Sequence, residues 1–316
     1  MDKAYKVGII GLGVVGERVL KQFLSHPRFD VLAFCEPNQA RLKDIQDQYG
    51  QVLTYSSDDE LLKNDDIDLV YLAVPPKFHH AIALNIIAHG KHILCEKPLA
   101  NSEKEAREMF EAAENKGVVN AMNFPLPYHA EFFKMLEILE AGQLGDIQRI
   151  EFNMFFPEWP RAWQQNNWIA TREQGGFIRE IGPHYLHLIS RLAGIPKYVQ
   201  SFVDYPEDPS LSENGFTARL MVDQTPVLFN GVSNVGQKED LSLKLYGNKA
   251  VLELRNWRDL FIGTREKNLE RIETSNTSTK NLMEELVKAL DGHDAHLITF
   301  EEGYHIQKLL ENIINS

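Results

Sequence analysis

Three glycines (Gly11, Gly13, Gly16) and, about 80 residues later, the tripeptide Glu96-Lys97-Pro98 are the residues whose types and spacing bear most directly on chemistry. In Gly11-Leu12-Gly13-Val14-Val15-Gly16 the first glycine permits a tight turn and the second lets the backbone approach a pyrophosphate. The third allows a helix to pack closely on a strand, and the start of that helix offers free N–H groups to an anion. Glu36, 20 residues past Gly16, falls where a carboxylate can accept from a ribose 2′-hydroxyl. The same carboxylate repels a 2′-phosphate, so NAD(H) is expected over NADP(H), with Arg41 the nearby group that opposes this. Lys97 ends a later strand, where a nicotinamide would lie, and the X-Pro bond after it can be cis. Together the motifs imply hydride transfer. Taken singly, each has a plain alternative: a glycine-rich turn without ligand, or a solvated strand-end lysine.

Val74-Pro75-Pro76 closes another strand, and His79 opens the next helix. Prolines there shape the crevice at the carboxyl edge of a sheet, or merely terminate the strand. A third constellation is Gly175-Gly176-Phe-Ile-Arg179-Glu180-Ile-Gly182-Pro183-His184-Tyr-Leu-His187. On an unbroken helix Glu180, His184 and His187 would share one face and could ligate a metal. Gly182-Pro183 argues instead that the helix begins at Pro183 with Glu180 on the entering loop, so no metal is expected. His184 is then the candidate acid/base and His187 a partnered core histidine. Trp159, Trp163, Trp168, Asn166, Asn167 and Tyr128 suit a polyhydroxylated ring, aromatic faces stacking on C–H groups and amides pairing with hydroxyls. The alternative is an aromatic core.

These residues need a scaffold, and apolar periodicity supplies one. Strands at Lys6–Ile10, Val31–Cys35, Leu69–Val74, His92–Cys95 and Val118–Met122 alternate with helices at Val14–Ser25, Gln39–Tyr49, Phe78–His89 and from Ser102 to Gly117. In the first helix Val15, Val19, Leu20, Phe23 and Leu24 are expected to face inward. Ser102-Glu103-Lys104-Glu105 is a capping-box start. Such alternation implies right-handed crossovers and a doubly wound parallel sheet, hence an α/β fold. Beyond Asn123 the rhythm changes to helices near His129–Ala141 and Ile181–Ala193, a long strand at Ile147–Phe156, and strand-like runs from Tyr198 to Thr264. Two helices, Leu282–Leu290 and Glu301–Ile314, follow. The expected domains are 1–124, binding the dinucleotide, and 125–316, an α+β domain on a mostly antiparallel open sheet.

Composition narrows the function classes. A chain of 316 residues with 43% hydrophobic and 25% charged residues can bury a sizeable core. A formal net charge of −12 leaves no basic stripe for nucleic acid. No apolar run approaches the length of a membrane span, and the start, Met1 to Lys6, has no apolar signal region. Only Cys35 and Cys95 are present, which fits a reducing cytoplasm and two buried thiols.

These residues resemble the Gfo/Idh/MocA oxidoreductases, the family of glucose–fructose oxidoreductase and inositol dehydrogenase. The resemblance runs from Val7 through Leu188 and is strongest in Gly90-Lys91-His92-Ile93-Leu94-Cys95-Glu96-Lys97-Pro98-Leu99-Ala100. It implies an N-terminal Rossmann domain and a C-terminal open sheet that lines the active site and forms homodimers or homotetramers. It also implies NAD(P), a sugar, cyclitol or sugar-derived substrate, and a catalytic lysine at Lys97. The family's Asp-x-x-x-His becomes Glu180 and His184 here, which with Lys97 complete the catalytic set. Glu96, Asn123 and Trp168 fall at cofactor-binding positions beside Gly11–Gly16, Glu36, Val74, Pro75 and His79. Tyr128, Trp163, Glu180, His184 and Lys97 fall on the substrate side. The chain departs from the family pattern at Ile169 and His187, where arginine and aspartate are usual, and in Phe124–Pro127, which lacks the usual arginine. The implied activity is reversible oxidation of a secondary carbinol. The rivals are a glycosidase that uses NAD as a transient oxidant and an NAD-sensing regulatory protein.

Overall fold

The structure, a computed structural model, describes residues 3–50, 52–164, 166–274 and 280–315; Met1 and Asp2 lie outside them. The chain forms two compact units: Met1–Phe124 with Asn281–Tyr304, and Pro125–Lys280 with His305–Ser316.

In the first unit, β1 (Tyr5–Ile10), α1 (Val14–Ser25), β2 (Phe29–Cys35), α2 (Gln39–Tyr49), β3 (Leu53–Tyr55) and α3 (Asp58–Leu62) lead into β4 (Leu69–Leu72). There follow α4 (His79–Ala88), β5 (His92–Cys95), α5 (Glu103–Lys116) and β6 (Asn120–Met122). The six strands are parallel and ordered β3-β2-β1-β4-β5-β6. This is the expected doubly wound sheet, and its order reverses between β1 and β4, which opens a crevice at their carboxyl ends. All four residues of β4 are buried, as a strand covered on both faces requires. β3 and α3 escape the periodicity because each is too short to show one.

Helix α1 buries Gly16, Val19, Leu20 and Phe23, a single i, i+3, i+4, i+7 stripe. Val15 and Leu24, expected inward, are 38% and 47% exposed. Each lies one residue, about 100° of helix, off that stripe. The capping box at α5 forms with a shift. Ser102 Oγ accepts from Glu105 N–H, while the Glu105 carboxylate reaches Asn101 N–H, one residue further back than the motif describes.

The second unit contains α6 (Ala130–Glu140), β7 (Ile147–Phe155), α7 (Phe177–Ala193), β8 (Lys197–Asp204), β9 (Gly215–Val222) and β10 (Thr225–Val232). β11 (Asp240–Gly247), β12 (Ala250–Arg255), β13 (Asp259–Thr264) and β14 (Glu270–Ile272) complete it. The eight-stranded sheet runs β14-β13-β12-β11-β7-β10-β9-β8 and is antiparallel except for β7 against β10. Alternate residues such as Ile150, Phe152 and Met154 point into a core shared with Phe177, Ile181, Tyr185 and Ile189 of α7.

Two expectations need correction. Helix α7 begins at Phe177 rather than Pro183, so Glu180 lies in its first turn and not on a loop. Pro183 lacks the N–H that would reach the Arg179 carbonyl, yet the helix runs through it from Phe177 to Ala193. The helix start is secured independently, because the Glu213 carboxylate accepts from Ile178 N–H at 2.7 Å. The second correction concerns the end of the chain. The expected second domain, 125–316, includes α8 (Leu282–Leu290) and α9 (Phe300–Ile314). His305–Ser316 stays with the second unit, but Asn281–Tyr304, which holds α8 and only the start of α9, clusters with the first. Asp291 there accepts from Tyr5 and Arg28, each at 2.7 Å. Ile298 carbonyl accepts from Met122 N–H and Asn120 Oδ1 from Phe300 N–H, also at 2.7 Å, so the outer edge of β6 is covered.

Candidate active site

The glycine turn follows β1 directly. Gly11 has φ +93°, and a Cβ there would stand 2.5 Å from the Ala73 carbonyl oxygen at the end of β4. A Cβ on Gly16 would meet the Gly11 carbonyl at 2.3 Å, whereas one on Gly13 would meet nothing within 4 Å. Gly11 and Gly16 thus serve the fold, and Gly13 keeps open the space at the start of α1. That helix start has no side-chain cap, so its first N–H groups remain available to an anion.

Glu36 lies beside this turn and takes Leu12 N–H and Asn38 N–H, each at 3.0 Å, one on each oxygen. Arg41 is engaged close by. Its Nε donates to the Leu12 carbonyl at 2.8 Å and its terminal nitrogen to Glu17 at 2.6 Å. Hydrogen bonds from Arg41, Lys21 and Tyr49 push the Glu17 pKa down to about 2. Val14 and Val15, the first residues of α1, are exposed.

At the next strand ends, Val74 and Pro75 follow β4, and Glu96 and Lys97 follow β5. Glu96 is buried, and its Oε1 accepts from both the Tyr71 hydroxyl and Asn123 Nδ2 at 2.6 Å. Burial raises the Glu96 pKa against the pull of those two donors and of Lys97. Lys97 itself is half-buried, and the Lys97–Pro98 peptide is cis. His79, expected as a cofactor contact, is fully buried and bonded internally. Its Nε2 stands 2.8 Å from the Val74 carbonyl oxygen and its Nδ1 2.9 Å from that of Pro98. A neutral imidazole donates through only one nitrogen, so both carbonyls are served only by the protonated ring. Burial lowers the His79 pKa more than these carbonyls raise it. The imidazole therefore ties the end of β4 to the turn carrying Lys97, and its direct role is with backbone. The first unit thus brings together Gly11, Leu12, Gly13, Val14, Val15, Gly16, Glu36, Val74, Pro75, His79, Glu96, Lys97 and Asn123 along the carboxyl edge of its sheet.

Tyr128, Trp163, Trp168, Glu180 and His184 belong to the second unit. Gly175 and Gly176 are required by close approach. A Cβ on Gly175 would lie 2.0 Å from the Ile169 carbonyl oxygen, and one on Gly176 would meet the Glu213 carboxylate at 2.1 Å. Glu180 is half-buried, while His184 and His187 are buried in the same unbroken helix. Among the described residues no group of three or more His, Cys, Asp or Glu side chains is placed to hold a metal ion. Tyr128 is buried and Trp168 half-buried. Trp159 packs on Phe156 and Phe177, with ring centroids 4.9 and 5.7 Å away, and so belongs to the core of this unit. Trp163 is 71% exposed beside Arg161, whose guanidinium also faces Phe156 and Trp159 and pairs with both oxygens of Glu239 at 2.7 Å.

Three residues at these sites escaped sequence reasoning. Tyr71 reads as one more apolar strand residue, although a buried phenol needs a partner and so carried a usable signal. Glu213 and Trp257, whose ring lies 5.2 Å from His184, come from loops distant in sequence and carried none.

Residues 5–124 match the family model described as "Oxidoreductase family, NAD-binding Rossmann fold", and residues 132–253 match the GFO/IDH/MocA C-terminal domain. The chain belongs to the Gfo/Idh/MocA oxidoreductase family. Among curated relatives, scyllo-inositol 2-dehydrogenase (NADP(+)) IolU of Bacillus subtilis is 28% identical over 226 residues, 68% of this chain and 69% of that protein. The dTDP-3,4-didehydro-2,6-dideoxy-alpha-D-glucose 3-reductase of Streptomyces violaceoruber is 25% identical over 193 residues, 61% of this chain and 55% of its own length. The chain spans about half the length of most curated relatives it matches. The crystal structure of KijD10, a 3-ketoreductase from Actinomadura kijaniata in complex with NADP and TDP-benzene, superposes with a TM-score of 0.84. That match covers 99% of this chain and 98% of the other at 19% identity, and it shows a shared fold. Among the described residues no helix is long and apolar enough to cross a membrane.

Proposed function

We propose that this chain catalyses reversible hydride transfer between NAD(H) and a secondary carbinol or ketone of a sugar, cyclitol or sugar-derived substrate. One observation carries the reading: the open glycine turn after β1 and the half-buried Lys97 after β5 share one carboxyl edge, on either side of β4. The residues present fit a dinucleotide, because Gly13 leaves space for a pyrophosphate and α1 presents uncapped N–H groups toward it. When bound, the nicotinamide supplies the hydride donor or acceptor.

The chain's own residues handle the proton and the charge. His184 takes the hydroxyl proton at a ring nitrogen, and Lys97 Nζ hydrogen-bonds the same oxygen and stabilises its developing negative charge. Glu180, one turn before His184, orients the imidazole or holds a neighbouring hydroxyl. The reading favours NAD(H) because the Glu36 carboxylate, beside the glycine turn, would accept from a ribose 2′-hydroxyl and repel a 2′-phosphate, while Arg41 is held by Leu12 and Glu17. Binding a 2′-phosphate would require Arg41 to leave a partner whose carboxylate it strongly stabilises. We further place the chain in the cytoplasm, as two buried free thiols favour, and assemble it as a homodimer or homotetramer through the second unit's sheet. That sheet leaves Phe202 of β8 66% exposed.

The test is NADH fluorescence titration, followed by a panel of sugars, cyclitols and keto-sugars read at the nicotinamide absorbance. Binding with turnover of one panel member is the expected result. Absence of NADH binding would overturn the reading, and equal catalytic efficiency with NADPH would overturn the cofactor preference.

A further inference from the structure

The turn between β12 and β13 holds a bulky residue in a conformation that disfavours it. Asn256 has φ +43° and Trp257 φ +74°. Asparagine tolerates left-handed backbone because its short side chain can bond locally, and glycine is indifferent to it. A tryptophan there is an outlier whose cost the surroundings must impose.

Those surroundings are visible on both sides of the turn. Asn256 N–H donates to the Leu241 carbonyl at 2.9 Å, and Asn256 Oδ1 accepts from Leu241 N–H at 3.2 Å, tying the turn to β11. On the other side Arg258 N–H donates to the Arg255 carbonyl at 3.1 Å, and the Arg258 guanidinium stands 3.3 Å from His129 Nε2. Asn256 and Arg258 are exposed, whereas Trp257 between them is half-buried. Its ring meets His184 with centroids 5.2 Å apart at 76°, and Tyr185 at 5.2 Å and 50°. Tyr185 is in turn stacked on Phe152 at 3.8 Å, which ties this contact to the sheet.

We propose that Trp257 is a positioning residue for His184: the hairpin turn is held left-handed so that its indole fixes the imidazole's orientation and screens one side of it from water. The inference rests on His184 being the acid/base of the proposed reaction. Simple packing accounts for it poorly. Positive φ at both central residues, Asn256 and Trp257, closed by Arg258 N–H on the Arg255 carbonyl, is what the hairpin turn itself requires, and glycine or asparagine is the usual choice there. The turn thus accounts for the backbone but does not call for an indole, whose presence is explained by the rings it touches. His184 and Tyr185 are neighbours in α7, so the indole locks two consecutive residues of the helix. A rotation of that helix turn would have to break both ring contacts.

The test compares Trp257→Gly, which suits the backbone but removes the ring, with Trp257→Phe, which keeps an aromatic ring at the same place. Trp257→Gly should lower kcat roughly tenfold with little change in KM, the signature of a misplaced catalytic group. It should also displace the His184 limb of the pH–rate profile, and Trp257→Phe should restore most of both. The imidazole resonances of 15N-histidine-labelled protein, with His184 assigned from the His184→Ala spectrum, give a readout that needs no turnover. The His184 titration midpoint should move in Trp257→Gly and return most of the way to the parent value in Trp257→Phe. A Trp257→Gly midpoint matching the parent protein, or a Trp257→Gly enzyme with parental kcat and pH profile, would overturn the proposal. Should His184→Ala leave the pH–rate profile intact, the acid/base reading fails, while the resonance measurement still decides whether Trp257 positions the ring.

Discussion

The Tyr71 hydroxyl, on β4, donates to the Glu96 carboxylate at the end of β5 across 2.6 Å. Asn123 donates to the same oxygen from the end of β6, so one buried carboxylate ties together three consecutive strand ends, immediately before Lys97.

Tyr71→Phe removes one of those donors and leaves Glu96 buried with a weaker set. The expected loss is about 1–3 kcal/mol of stability at neutral pH, read by urea unfolding. Because burial has raised the Glu96 pKa, its contribution to stability is greatest below the unfolded carboxylate pKa and is lost as pH rises through the folded value. Without Tyr71 that loss should extend to higher pH. Unfolding curves that superpose with the parent protein's at each pH would contradict this role for the phenol.

Glycine substitutions should separate fold from binding. Gly16→Ala drives a Cβ into the Gly11 carbonyl and should cost about 1–3 kcal/mol of stability. Gly13→Ala meets no neighbour and should melt like the parent protein. It should nonetheless bind NADH at least roughly tenfold more weakly, about 1.4 kcal/mol. Unchanged NADH affinity in Gly13→Ala would remove the pyrophosphate from this turn.

Glu213 carries a pH prediction of its own. Burial pushes its pKa up to about 7 from an ordinary 4.5, although Ile178 N–H at the start of α7 opposes the shift. The folded state therefore holds this proton more tightly than the unfolded chain. Stability is greatest below about pH 4.5 and falls as pH rises to about 7, by about 3 kcal/mol at most. Glu213→Gln retains an acceptor for Ile178 and should flatten that slope. A slope persisting in the variant would place its origin elsewhere.

Lys97→Ala should lose at least roughly 100-fold in turnover while NADH binding survives. His184→Ala should flatten one limb of the pH–rate profile. Full activity in the lysine variant would refute the assignment made for it.

Much of this was legible in the sequence, and the exceptions have physical reasons. The doubly wound sheet could be read because buried parallel strands such as Leu69–Leu72 are continuous apolar runs. The glycine turn could be read because its spacing answers to a steric requirement. Helix α7 was placed too late because Gly182-Pro183 looks like a boundary, and the cap that secures Phe177 comes from Glu213, a residue on a distant loop. Trp257 stayed hidden because no local pattern connects a hairpin turn to a histidine 73 positions earlier. His79 was visible as a helix-entry histidine, but its two carbonyl partners follow only from the folded path of residues 97–99.

The cover on β6 sets a timetable for synthesis. Met122 N–H finds its acceptor on Ile298, so roughly 175 residues must be made after the strand before its edge can be closed. At typical translation speeds that is a wait of about 10–35 s. Throughout it, the nascent first unit presents an open strand to any neighbouring chain on a polysome. The first unit is thus not sealed at this edge until a segment that follows the whole second sheet has been made. A ribosome stalled before Ile298 would release a product prone to edge-to-edge association rather than a free-standing nucleotide-binding module.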